Sequence, residues 1–152
     1  MWGTRAAALS LSVLCSVGLG NCAMADIGQQ FERYRWQKRV LLIFAPAASS
    51  EALAAQNAHL SGEASGLDDR DLVVWRLIHG ESASVDGDLR ADVSPQEFYQ
   101  RFGVSSEAFA VVLVGKDGTV KQQQNEPLPV SELFSTIDAM PMRQREMQQG
   151  GG

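Results

Sequence analysis

Three methionines, Met140, Met142 and Met147, stand close together near the C-terminal end of the chain. Thioether sulfur is a soft ligand that suits Cu(I), so the trio is a candidate metal site. The plainer reading has Met140 closing an apolar helix face and Met142 packing beside Pro141, a task for which a flexible thioether is well suited. His59 and His79 are the only histidines. His79 and Glu81 flank Gly80 and supply two ligand types, whereas a zinc site needs three or four. Arg35, Lys38 and Arg39 form a basic cluster that can receive an anion or an acidic partner, or simply line a solvated strand entrance. Lys116, Asp117 and Lys121 gather at a turn, where Asp-Gly chemistry alone accounts for Asp117 and Gly118. Asp71 and Glu51 are acids near predicted strand ends, where α/β folds place ligands. There is no Gly-x-Ser-x-Gly elbow and no Gly-rich phosphate loop. No catalytic residue and no cofactor is assigned on this basis.

Thiol chemistry is constrained by position. Cys15 and Cys22, the only cysteines, both lie in the first 25 residues. That segment has a basic start at Arg5, an uncharged apolar run from Ala6 to Leu19 and a small-x-small site at Ala23-Met24-Ala25 before Asp26. These are the three parts of a secretory signal, so cleavage between Ala25 and Asp26 is expected. The run is short of the roughly 20 apolar residues that span a bilayer, which argues against an uncleaved anchor, and no stable membrane insertion is expected after cleavage. Lipidation of Cys22 is the minor alternative, disfavoured because Asn21 is larger than the residue that normally precedes an acylated cysteine. The remainder, read as a domain over 26–145 and a disordered tail over 146–152, contains neither disulfide nor thiol.

All 18 acidic residues and 12 of the 13 basic ones follow residue 25, a net charge of −6. An acidic domain without a basic stripe is not built for nucleic acid. Its length is that of one domain able to bury a core without metal or disulfide staples.

The elements that would position these residues alternate. Asp26 to Gln37 reads as a short helix or ordered lead-in. Val40–Ala45 is a continuous apolar run, as in a strand buried on both faces. Ser49 or Ser50 caps a helix through Leu53 and Leu60 that stops near Gly62. Leu72–Ile78 is a second strand, entered through the turn Asp68–Asp71. Gly80–Val93 reads as a surface loop. Ser94-Pro95-Gln96-Glu97 is a capping box with proline at the first helical position, and Gly103 ends that helix. Phe109–Val114 and Thr119–Lys121 flank Gly115–Gly118 as a β-hairpin. Val130, Leu133, Phe134 and Ile137 follow helical spacing, and Pro141 kinks or ends the helix.

This order, βαβ followed by α and ββα, predicts an α/β three-layer sandwich around a mixed central sheet, the thioredoxin-like arrangement. Phe102-Gly103-Val104 and Lys116-Asp117-Gly118 resemble the thioredoxin stretch from its tyrosine-glycine-isoleucine to its lysine-asparagine-glycine turn. In thioredoxins the Cys-x-x-Cys follows the first long strand at the next helix N-terminus, which lowers the thiol pKa. Here that segment is Ala45–Ser50 and holds no sulfur. The proline of thioredoxins before the third strand is also missing around Ala108 and Phe109. Thioredoxin and peroxiredoxin activity are therefore excluded for a cysteine-free chain.

A closer resemblance covers nearly everything after the leader. Trp36–Pro46 (WQKRVLLIFAP), Arg70-Asp71-Leu72, Val112–Gly118 (VLVGKDG) and Ile137–Arg143 (IDAMPMR) are similar to the domain of unknown function 4174 family. It implies an exported bacterial, thioredoxin-like domain and carries over no site residue. The expected function is a non-catalytic binding or accessory module for an unknown periplasmic protein or small ligand. An enzyme of thiol-free chemistry and a methionine-based Cu(I) binder are the alternatives.

Overall fold

A computed structural model describes residues 27–150. The cleavage junction at Ala25 and Asp26, with Cys15 and Cys22, lies outside these described residues.

The first long strand dictates the architecture. In β1 (Arg39–Ala45) every residue is buried, which requires strands on both sides and helices on both faces. β2 (Leu72–Ile78) runs parallel to it, with Arg39 opposite Leu72 and Ala45 opposite Ile78. On its other side β5 (Ala110–Val114) is antiparallel, pairing Val40 with Val114, and β6 (Val120–Gln124) completes a hairpin at that edge. The sheet has six strands in the order β4-β3-β2-β1-β5-β6.

Alternation along β1 divides the interior into two layers. Val40, Leu42 and Phe44 face α1 (Ile27–Glu32) and α4 (Pro95–Phe102), where Phe44 meets Tyr99 edge-on at 5.0 Å and Trp75 meets Phe98 at 5.3 Å. Leu41, Ile43 and Ala45 face Leu53 and Leu60 of α2 (Glu51–Leu60) and Leu133 and Ile137 of α5 (Val130–Asp138). Each fully buried aliphatic side chain in these layers stabilises the fold by about 1.5–3 kcal/mol relative to exposure. The expected mixed sheet between helical layers is the one observed.

Four local expectations are corrected. The polar segment 80–93 is not a bare loop: β3 (Ala83–Val85) and β4 (Asp88–Arg90) extend the sheet past β2. Asp86 and Gly87 both take positive φ, the demand of a two-residue type I′ hairpin, and Asp86 Oδ1 accepts from the Val74 N–H at 2.8 Å. A short helix, α3 (Ala64–Asp69), precedes β2 where only a turn was expected. Ser94 stands at the N-cap of α4, but its side chain makes no capping hydrogen bond, so Pro95 at the first turn carries the start of that helix. Finally, the disordered tail expected from residue 146 is helical to Gly150. Pro141 opens α6 (Pro141–Gly150), and Glu146 within it is held by buried cations.

Gly103 ends α4 with φ 64°, as expected of a helix-terminating glycine. Across the sheet, the buried Gln56 of α2 clamps the loop before α5. Its Nε2 donates to the Leu128 carbonyl at 3.1 Å, and its Oε1 accepts from the Leu128 N–H at 2.6 Å. Gln56→Ala strands both Leu128 groups in an apolar layer. Urea unfolding is expected to show a loss of about 2–3 kcal/mol with unchanged folded-state circular dichroism.

Candidate binding cleft and the two ends of the sheet

The C-terminal end of β1 is where a thioredoxin-like fold would carry its thiols. Ser50 caps α2, accepting from the Leu53 N–H at 3.4 Å, so the positive end of the helix faces this region. The segment before it, Ala47 to Ser49, is exposed and has nothing to ionise. Beside it the Tyr99 hydroxyl lies 2.7 Å from the Ala45 carbonyl and 3.0 Å from the Leu77 carbonyl, joining α4 to β1 and β2. Burial pushes the Tyr99 phenol above its ordinary value of 10.0, so it stays a neutral donor. The His79 ring meets Tyr99 edge-on at 5.7 Å.

The opposite end of β1 is ionic. Arg39 opens the strand with 1% exposure and donates to the Arg70 carbonyl at 2.7 Å and to the Glu146 carboxylate at 3.2 Å. Lys116, after β5, bridges Glu146 at 2.7 Å and Asp71 at 2.9 Å. Lys38 donates to the other Asp71 oxygen at 3.0 Å. A second cluster adjoins through α6. Arg143 pairs with Asp69 and, at 3.2 Å, with Asp138, whose other oxygen accepts from Arg70 at 2.7 Å.

Burial alone would raise the Asp71 carboxyl, but the Lys116 and Lys38 ammoniums outweigh it and hold the group below 3.8. Asp138 behaves likewise: burial raises it, and the Arg70 and Arg143 guanidiniums lower it further than burial lifts it. Asp71 also holds a left-handed backbone conformation, φ 49°, which aspartate and asparagine tolerate best among non-glycine residues.

Above this lattice opens a cleft of about 610 Å³. Arg39 and Lys116 contribute to its lining from the lattice, and Met140 and Met142 from the α5–α6 junction. Trp36, 60% exposed, forms part of its wall. The backbone of Trp36 is left-handed, φ 65°, and its N–H donates to the Lys116 carbonyl at 2.6 Å.

The structure thus redistributes the candidate residues. Arg39 is not a solvated strand entrance but a buried cation, and Lys38 and Arg35 are occupied by Asp71 and Glu32. Lys116 leaves the turn for the lattice, whereas Lys121 stays with Asp117 at 2.7 Å. Met140 and Met142 share the cleft; Met147, 43% exposed on α6, is not among its lining residues. Asp71 and Glu51 fall at opposite ends of the parallel pair β1–β2 and do not converge. Among the described residues no group of three or more His, Cys, Asp or Glu side chains is placed to hold a metal. Glu146 was overlooked because a polar glutamine- and glycine-rich end suggests disorder. The signal was an arginine opening a wholly apolar strand, which demands a carboxylate from somewhere.

Fold and site together define a thioredoxin-like α/β domain with no cysteine after residue 22. More specifically, the chain belongs to the family described as Domain of unknown function (DUF4174), whose profile matches residues 30–146. It is 28% identical over 131 residues to Coiled-coil domain-containing protein 80 of Danio rerio, covering 76% of this chain and 15% of that protein. It is 29% identical over 133 residues to Sushi repeat-containing protein SRPX2 of Xenopus laevis, covering 85% of this chain and 28% of the relative. The chain therefore spans less than a third of the length of these curated relatives. Among solved structures, Plasmodium yoelii thioredoxin peroxidase I superposes with a TM-score of 0.55 at 15% identity, over 75% of this chain and 79% of that one. The Plasmodium yoelii Prx1a structure gives the same TM-score at 14% identity, over 76% of this chain and 80% of that one. At such identity the likeness defines the fold and not the chemistry.

Two outcomes follow from the lattice. Because the folded Asp71 and Asp138 carboxyls lie below their unfolded value, their stabilisation is complete above about pH 5 and is lost as pH falls through the folded values. Asp71→Asn keeps the backbone preference but removes one such group. Its melting temperature is expected to start lower at neutral pH, fall less steeply between pH 5 and 3, and converge with the parent in acid. Ending the chain after Arg145 removes Glu146 from buried Arg39 and should cost about 2–4 kcal/mol in urea, at the low end for a buried pair because Glu146 is partly solvated. Ending it after Met147 should change stability by less than about 0.5 kcal/mol.

Proposed function

We propose that the chain is exported, with its leader cleaved between Ala25 and Asp26, and that the folded domain works as a non-catalytic binding or accessory module in the periplasm or beyond the cell. The observation that carries this reading is the contrast between the two ends of β1. At the C-terminal end, where a thioredoxin-like fold would place reactive thiols, the chain has only alanines and serines beside a neutral tyrosine tie. At the N-terminal end, nine charged side chains hold one another in a fixed lattice beneath an open cleft. A group already engaged by two or three partners is poorly placed to move a proton, but well placed to hold a surface rigid.

The family match supports a conserved fold without adding an activity, and the size of the longer relatives supports a module that operates beside other domains. Among the described residues, no helix is long and apolar enough to cross a membrane. The cleft is lined by four basic side chains and one carboxylate, and in the binding-module reading Met140 and Met142 serve as its apolar wall.

Affinity capture from the exported fraction tests the reading. Tagged protein at native abundance is expected to recover a defined partner, or to retain a small molecule detectable by mass spectrometry after denaturation. Loss of both across growth conditions would count against a binding module.

A further inference from the structure

The cleft beside Trp36 has features that the fold does not need. An indole that is 60% exposed adds little to the core, and a left-handed backbone at a non-glycine residue costs of order 1–3 kcal/mol. Both are maintained here by the Trp36 N–H bond to the Lys116 carbonyl, so the ring is anchored to the lattice rather than left on a loose loop. The α5–α6 junction supplies apolar surface from Met140, Pro141 and Met142.

Charge in the lining is lopsided. Arg39, Lys116, Lys121 and Arg145 face one acid, Asp117, in a protein whose net charge is −5. Arg39 and Lys116 are neutralised by Glu146 and Asp71, and Lys121 shares Asp117. Arg145 is exposed and has no hydrogen bond or ion pair among the described residues. A volume of about 610 Å³ falls within the usual range of small-molecule sites.

We infer that this cleft binds a small organic anion with an apolar body, of the aryl or alkyl carboxylate class. The carboxylate meets the free guanidinium of Arg145 and the ammonium of Lys121. The body lies in the cleft among Trp36, Met140 and Met142, where an indole face and adaptable thioethers accept varied apolar shapes. Neither half suffices alone: inorganic anions lack the apolar contact, and neutral aromatics leave Arg145 unpaired. The inference rests on the binding-module reading and names its site and ligand class.

An NMR titration of the purified protein with phenylacetate tests it. The Trp36 indole resonance is identified by its absence from Trp36→Gly, a change that suits the left-handed backbone and should not lower stability. Phenylacetate is expected to shift that resonance saturably. Acetate and 2-phenylethanol should each bind about tenfold or more weakly, and Arg145→Ser should weaken phenylacetate about tenfold. Equal binding of phenylethanol and phenylacetate, or phenylacetate-induced shifts of the backbone amides of the cleft residues Gly115, Met140 and Met142 that persist undiminished in both Trp36→Gly and Arg145→Ser, would overturn the assignment. If no carboxylate binds but a captured acidic protein does, and loses affinity in the same two variants, the cleft is a protein-docking face and this inference fails while the module reading stands. If no carboxylate binds and capture recovers neither a protein partner nor a retained small molecule, both readings fail.

Discussion

A guanidinium at 1% exposure cannot be left without a counter-charge, and the placement of Arg39 organises the rest of this molecule. It opens a strand buried along its whole length, so it must be satisfied where three strands begin or end together. The chain answers with a carbonyl from the α3–β2 connection and a carboxylate from α6. Once Glu146 is drawn in, Lys116 can be buried beside it and Asp71 can bridge to Lys38. The lattice therefore fixes the relative positions of α6, β2 and the β5–β6 turn, none of which is joined to another by sheet pairing at that point. Within the lattice only the Nε atoms of Arg39 and Arg70 are buried without a hydrogen-bond partner.

What was legible in the sequence was what local pattern encodes. Continuous apolar runs marked β1, β2 and β5, helical spacing marked α5, and the Gly103 stop marked the end of α4. Legibility failed where the cause was distant in the chain. Nothing around Glu146 announces a structural carboxylate, because its partners lie at residues 39 and 116. The β3–β4 hairpin is hard to read for the opposite reason: its strands are three residues each and mostly polar or half-buried, so no hydrophobic alternation is available. Only the Asp86-Gly87 pair carried that information. The candidate cleft was half visible. Met140, Met142, Lys116 and Lys121 each stand out by residue type, but the exposed indole beside which they meet in one cleft is a tertiary outcome.

The two ends of β1 divide the demands that one fold can place on a sheet. The C-terminal end keeps the thioredoxin-like geometry of strand, turn and capped helix while its side chains are small and neutral. Tyr99 closes the backbone there with a hydroxyl that does not ionise under ordinary conditions. The N-terminal end concentrates the polar side chains that a buried strand would otherwise exclude. The two ends are separated by the apolar layers built on Leu41, Leu42, Ile43 and Phe44.

The separation of Arg39 and Glu146 by 107 positions also sets an order in time. At about 5–20 residues per second, the carboxylate emerges from synthesis roughly 5–20 seconds after the arginine it must neutralise. During that interval the entrance to β1 keeps a hydrated charge that opposes closure of the sheet over it. The covalent order of the chain thus delivers the counter-charge of its first long strand last, after every strand of the sheet has been made.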